Sequence, residues 1–257
     1  MDLETFGIER RFLGPPNSAN GGYVCGRIAA HIDGDAEVTL VRPPPLDCPL
    51  VVRRDGNDKV SLWNQDIRLC SAKLTEVQIE PFAIPTLEQA AAAASRTFPA
   101  ERHPLPTCFV CGPLRDFGDG LRVHAGPLDD NDPEWRGSLA AVWVPDAGLG
   151  DESGLVRAEF VWAALDCPTG YAISSSEGMR ITLLGRQSVS VRRLPEVETP
   201  CIVLSRAVGC EGRKHFAEAA LVSPDGTLFA LCRAVWIEVS AEVQRGVSDT
   251  ARSGDGN

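Results

Sequence analysis

Val38-Thr39-Leu40-Val41-Arg42-Pro43-Pro44 returns downstream as Val189-Ser190-Val191-Arg192-Arg193-Leu194-Pro195, and Pro49-Leu50-Val51-Val52 returns as Pro200-Cys201-Ile202-Val203. Both pairs are separated by 151 residues. β-Branched runs closed by proline, recurring at one spacing, read as strands of a duplicated unit. Upstream of the first copy, Gly14 to Gly22 is a Pro/Gly loop, and Val24, Ile28 and Ile32 then fall at helical spacing across Tyr23–Ile32. Asp33-Gly34-Asp35 stops that helix. Strands are expected at Glu37–Arg42, Pro49–Arg54, Lys59–Asn64 and Asp66–Glu80, with a turn at Asp55-Gly56-Asn57-Asp58. Thr86–Arg96 reads as a short alanine-rich helix with Thr86 as N-cap.

The second copy repeats the plan. Strands are expected at Gly120–Ala125 and Gly137–Val144, followed by a helix at Glu159–Ile173, continuous or broken near Pro168. Further strands are expected at Met179–Arg193, Pro200–Val208, Lys214–Val222 and Leu228–Val239. The domain organisation is therefore a first half at 1–97, a Pro/Gly-rich linker at 98–119, a second half at 120–243 and a polar tail at 244–257. The fold class is α+β, with two antiparallel sheets, each wrapped around a central helix. The competing reading is two unrelated α+β segments with similar strand chemistry.

Composition excludes several classes. The 257 residues carry a net charge of −10 and no basic stripe, which argues against nucleic-acid binding. No run approaches the roughly 18 apolar residues of a membrane span, and Met1–Arg11 has acidic residues where a signal peptide needs an apolar core. Nine cysteines, several inside apolar runs such as those around Cys70, Cys201 and Cys232, read as reduced core residues of a cytoplasmic protein.

Asn20-Gly21-Gly22-Tyr23-Val24-Cys25-Gly26-Arg27, then a strand ending Arg42-Pro43, then Pro49-Leu50-Val51-Val52-Arg53-Arg54-Asp55-Gly56-Asn57, resembles the N-terminal half of the double-hotdog acyl-CoA thioesterases. In that family a Gly-Gly turn opens the helix, an Arg-Pro ends the next strand and an Arg-Asp-Gly turn follows. The similarity covers about Gly14 to Glu80 well and the second half in plan. It implies a tandem hotdog fold, a small-molecule acyl thioester as substrate, no cofactor beyond the coenzyme A of that substrate, and monomer or homodimer.

The resemblance also implies a catalytic Asp on the second-half helix, for which Asp166 in Phe160-Val161-Trp162-Ala163-Ala164-Leu165-Asp166-Cys167-Pro168 is the candidate. It would act as general base on water, with Asn20, Gly21 and Gly22 at a helix N-terminus supplying donors to the developing oxyanion. Asp166 is equally readable as an N-cap of a second helical segment, and the two roles are compatible. In the family the Asp is supported by a Thr or Ser on the following long strand and a Gln on the last strand. The Gln position falls near Ala234 here, while Gln187, Ser188 and Thr182 are available on the earlier strand, with Gln187 and Ser188 as candidate substrate contacts, so the supporting network is either rebuilt or lost. Trp162 is a core aromatic or a wall of the acyl pocket. Arg42, Arg192, Arg193, Arg213 and Lys214 are solvated charges or contacts to coenzyme A phosphates.

Cys108-Phe109-Val110-Cys111-Gly112 is a CxxC knuckle. With His103, and His124 or Asp116, it offers a zinc set, but no second CxxC follows, so it is read as a packed loop turn and no metal is expected. No G-x-S-x-G, G-x-G-x-x-G or P-loop occurs. The function expected is hydrolysis of an acyl-CoA or acyl-carrier thioester by Asp-activated water. A non-catalytic acyl-thioester binder is the alternative. A hydratase or dehydratase comes third, because Asp166 has no neighbouring His in sequence.

Overall fold

The computed structural model describes residues 1–177 and 182–239. Among these residues eleven antiparallel strands make one sheet. In chain order they are β1 (Asp2–Phe6), β2 (Ala36–Leu40), β3 (Leu50–Gly56), β4 (Lys59–Asn64), β5 (Ile67–Leu74), β6 (Gly126–Pro127), β7 (Ser138–Trp143), β8 (Thr182–Val191), β9 (Cys201–Glu211), β10 (Lys214–Val222) and β11 (Leu228–Glu238). Across the sheet they run β1-β3-β4-β5-β2-β8-β11-β10-β9-β7-β6. Outward from the β2–β8 seam the first half is therefore β2, β5, β4, β3, β1, and the second is β8, β11, β10, β9, β7, with β6 added at the edge. The two series have the same connectivity, which is the topology of a duplication.

The two sheets expected from sequence are joined edge to edge into one. β2 pairs with β8, with Ala36 opposite Val189, Glu37 opposite Ser188 and Val38 opposite Gln187. Each half ends its own sheet at an edge strand whose N–H and C=O groups need partners, and each edge satisfies the other. Glu37 and Ser188, equivalent under the 151-residue repeat, face one another directly. Antiparallel pairing of equivalent positions is what a local two-fold between the copies requires.

Among the described residues four α-helices accompany the sheet: α1 (Gly21–Ala29), α2 (Leu87–Ala94), α3 (Ala158–Ala164) and α4 (Asp166–Glu177). α1 starts at Asn20, whose Oδ1 accepts the Tyr23 amide at 2.9 Å. Its Val24, Cys25 and Ile28 are buried, and the helix packs on α3, β2 and β5. The second helix breaks at Leu165, earlier than Pro168. Proline then sits inside the first turn of α4, where its missing N–H would have had no intrahelical partner. α4 lies on β9 and β10, and α3 lies against α1.

Two strand expectations change. Asp2–Phe6, not anticipated, pairs with β3, and Glu4 ties it to α1 through Arg27 at 2.9 Å and His31 at 3.0 Å. The Gly120–Ala125 segment is not a strand. Its Leu121, Val123 and Ala125 are buried as the alternation predicts, but Arg122 adopts φ 55°. Its amides bond to the CxxC loop instead, Leu121 N to Phe109 O at 2.8 Å and Val123 N to Val110 O at 2.9 Å. The start of the strand expected from Met179 and the tail at 244–257 lie outside the described residues.

α2 shows a complete capping box. The Gln89 amide donates to Thr86 Oγ1, and the Thr86 amide donates to Gln89 Oε1. Thr86→Ala removes one half of that exchange and is expected to lower stability by about 1 kcal/mol. Urea unfolding should show a lower midpoint at unchanged slope.

Candidate active site

Asp166 opens α4 and is only 2% exposed. Its side chain does not cap its own helix. Oδ2 reaches across to the start of α1, accepting Asn20 Nδ2 and the Gly22 amide, each at 2.9 Å. The two halves of the chain thus meet at one carboxylate. α1 can come this close because Gly22 and Gly26 present bare backbone to α3 and the start of α4. A Cβ at Gly22 would lie 2.5 Å from Asp166 Cβ, and one at Gly26 would lie 2.5 Å from Glu159 Cα. The N-terminus of α1 favours an anion, yet burial outweighs it and pushes the Asp166 carboxyl up to about 7, against the opposing bonds from Gly22 and Asn20.

The second oxygen is the informative one. Asp166 Oδ1 is buried and has no hydrogen-bond partner among the described residues. Asp166 also lines a cavity of about 390 Å³, a size suited to a small ligand. Its walls are largely apolar and come from both halves, with Leu40 and Pro43 on one side and Leu184, Trp236 and Ile237 on the other. Asn20, Gly21, Cys108 and Cys167 share the polar end with Asp166.

Asn20 has two tasks, capping α1 through Oδ1 and donating to Asp166 through Nδ2. Asn20→Asp keeps the cap and replaces the donor with a second carboxylate oxygen. It is expected to destabilise the chain by about 1–3 kcal/mol, since a buried acceptor would face another acceptor. Asn20→Ser, which keeps a cap, should cost less. Both variants keep a cap and lose the Nδ2 donor, so their difference in thermal unfolding reads the cost of the added acceptor facing Asp166.

The remaining residues singled out from sequence separate into two groups. Gly21 and Arg42 line the cavity, Arg42 at its exposed side, and Thr182 does also. Gly22 turns its amide to Asp166. Trp162, Gln187, Ser188 and Arg192 are not in the cavity wall. Trp162 is buried at the α1–α3 contact. Gln187 stands directly opposite Ala234 on β11, so a glutamine does occupy the neighbourhood where one was missed. Its Nε2 donates to Trp162 O at 3.0 Å and it does not bond Asp166. Ser188 Oγ contacts Glu37 Oε2 at 3.5 Å across the seam, and the half-exposed Arg192 pairs with Asp35 at 3.8 Å.

Sequence reasoning passed over Cys167. It brings its Sγ to 3.7 Å from Cys108 Sγ, and the Sγ atoms of Cys108, Cys111 and Cys167 all lie within 4.8 Å of one another. Hydrogen bonds from the Cys111 and Cys167 thiols and from the amides of Cys111 and Val110 hold the Cys108 thiol well below its ordinary range, despite its burial. Nearby, burial pushes the His103 imidazole down to about 4.

The fold defines a class: an α+β protein whose one antiparallel sheet is built from two halves of like strand order. Solved structures of that class match nearly the whole chain. An acyl-CoA thioesterase II TesB2 from Mycobacterium marinum aligns at a TM-score of 0.58 and 10% identity, over 95% of this chain and 97% of that one. A tesB protein of Mycobacterium avium subsp. paratuberculosis aligns at 0.56 and 14%, over 92% of each chain. A conserved protein of unknown function with a hot dog fold from Alicyclobacillus acidocaldarius aligns at 0.58 and 11%, also over 92% of each. Identities this low establish a fold, and the chain has the hotdog fold of these proteins. Neither a family model nor a curated protein matches the sequence. No helix among the described residues is long and apolar enough to cross a membrane.

Proposed function

We propose that the chain hydrolyses an acyl thioester, carried on coenzyme A or an acyl carrier, with water activated by Asp166. One observation carries this reading: Asp166, a residue that lines a cavity large enough for an acyl group, is fixed through Oδ2 by Asn20 and Gly22, and its buried Oδ1 has no partner among the described residues. Water held by Oδ1 would be positioned and deprotonated as it attacks the thioester carbon. Gly22 N–H is engaged by the carboxylate, so the oxyanion falls to Gly21 at the N-terminus of α1, which lines the same cavity. The apolar walls would take the acyl chain, and Arg42 at the exposed side would meet coenzyme A phosphate. The thioesterase names among the structural neighbours agree with this reading.

Under the same proposal each half is a hotdog unit, α1 resting on β2 and β5 and α4 on β9 and β10. The cytoplasm is proposed as its compartment because all nine cysteines are free, including two whose sulfurs lie 3.7 Å apart. A second reading, binding without turnover, draws on Gln187, which bonds Trp162 O and leaves Asp166 without the glutamine that thioesterases of this kind use. An acyl-CoA panel of varied chain length, followed by release of free thiol, separates the two. Turnover supports hydrolysis, whereas saturable binding with no thiol release selects the binder.

A further inference from the structure

Cys108 and Cys111 sit on a loop that the fold presses against the start of α4, and there it meets Cys167. All three sulfurs are buried. The Cys108–Cys167 separation of 3.7 Å is close to the edge of a tetrahedral zinc–thiolate site, about 3.8 Å for Zn–S bonds of about 2.3 Å. The loop is a tight turn that holds Cys108 and Cys111 side by side. The Gly112 amide closes the turn on Cys108 O at 2.8 Å, and a Cβ at Gly112 would lie 2.5 Å from Pro106 O. The amides of Val110 and Cys111 point at Cys108 Sγ, which favours a thiolate there.

An outer layer of hydrogen bonds is also in place. The Leu105 amide donates to His103 Nδ1 at 3.0 Å, so that nitrogen is an acceptor and the proton of the neutral ring is on Nε2. Nε2–H then donates to Tyr171 Oη at 2.7 Å. The Tyr171 hydroxyl is left with its own proton to give, and its neighbour is Cys111 Sγ. A buried relay that ends by donating to sulfur orients a ligating thiolate in the way that outer partners do in metal sites. Of the candidate partners, His103 belongs to this relay, His124 and Asp116 are outside the three-sulfur group, and Cys167 from the second half is the third sulfur.

We propose that Cys108, Cys111 and Cys167 bind one zinc ion through their thiolates, with a non-protein fourth donor reaching it from the cavity that Cys108 and Cys167 line. Three thiolates suit a soft, tetrahedral d¹⁰ ion. The ion would staple the long connection between the repeats to the residue next to Asp166, so binding and folding would be coupled.

The test uses the full chain, expressed with zinc and purified under reducing conditions without chelator. Elemental analysis should give about one zinc per chain. Cobalt(II) added to the stripped chain should give intense thiolate-to-cobalt charge-transfer absorption and the visible bands of a tetrahedral site. Cys108→Ser, Cys111→Ser and Cys167→Ser should each abolish those bands, and Cys210→Ser, at an exposed position, should keep them. Because a serine variant can fail to fold, zinc release from the wild-type chain by a mercurial, read with a chromogenic chelator, supplies a measurement free of variants. Zinc at about a tenth of an equivalent or less, together with a featureless cobalt titration of the reduced wild type, overturns the proposal. None of these readouts is thioester turnover, so the site stands or falls separately from hydrolysis.

Discussion

Asp166→Asn is expected to lower thioester hydrolysis by about 10²–10⁴-fold, the range a positioned general base contributes, while acyl-CoA binding stays within a few-fold of wild type. Asparagine is the diagnostic replacement because it is nearly isosteric and keeps a carbonyl oxygen. That oxygen can go on accepting Asn20 Nδ2 and the Gly22 amide, which now hold Oδ2 at 2.9 Å each. What it cannot do is take a proton from water at the position of Oδ1. Asp166→Ala is a less clean probe, since it leaves both donors buried without an acceptor and should lower stability by about 1–3 kcal/mol in addition. Steady-state rates and equilibrium binding on the same acyl-CoA, with thermal unfolding alongside, distinguish the outcomes. A fall in kcat with binding preserved supports the base. Wild-type turnover by a folded Asp166→Asn chain removes Asp166 from the chemistry.

The sequence carried the repeat further than it carried the site. Strand ends were legible where a turn is chemically obligatory: Lys59–Asn64 and Lys214–Val222 coincide with β4 and β10, each preceded by an acidic-glycine turn. β1 was not, because Asp2-Leu3-Glu4-Thr5-Phe6 is short and half exposed, and its pairing with β3 is a long-range contact. Gly120–Ala125 shows the reverse error. Its alternation is real and buries Leu121, Val123 and Ala125, but the partner is a loop, and periodicity reports burial rather than ladder pairing. Asp166 stood out as a lone acid in an apolar run, and Asn20 and Gly22 stood out at a helix start. That they touch is a tertiary fact, set by the crossing of α1 on α3. Cys167 was invisible for the same reason. Nothing in Leu165-Asp166-Cys167-Pro168 points to a knuckle in the connection between the halves, and the partners that local spacing offered were His103, His124 and Asp116. Likewise Gln187 was legible on the earlier strand, but that it stands opposite Ala234 and turns to the Trp162 carbonyl depended on the strand's register, which no local pattern sets.

That helix crossing is where the second large effect is expected. In an exposed helix, glycine to alanine gains about 1 kcal/mol; in α1 the sign should reverse at two positions and not at a third. A Cβ at Gly26 would stand 2.5 Å from Glu159 Cα and 2.9 Å from Trp162 Cβ, and one at Gly22 would stand 2.5 Å from Asp166 Cβ and 3.0 Å from Trp162 O. These obstacles are backbone atoms and the first side-chain carbons, which no rotamer change can move, so α1 and α3 must separate. Overpacking of this kind costs about 1–3 kcal/mol and at times more. For Gly22→Ala the displaced neighbour is also the carboxylate, so hydrolysis should fall together with stability, whereas Gly26→Ala should lose mainly stability. At Gly21 the nearest atoms are Leu184 Cδ2 at 3.0 Å and Leu40 Cδ1 at 3.2 Å, the ends of flexible side chains. Gly21→Ala should accordingly fold near wild-type stability and narrow the cavity it lines. Chemical denaturation of the three variants gives the ordering directly. Gly22→Ala or Gly26→Ala at or above wild-type stability would mean that the helices can part at little cost, and with that the close approach holding Asp166 to α1 would lose its explanation.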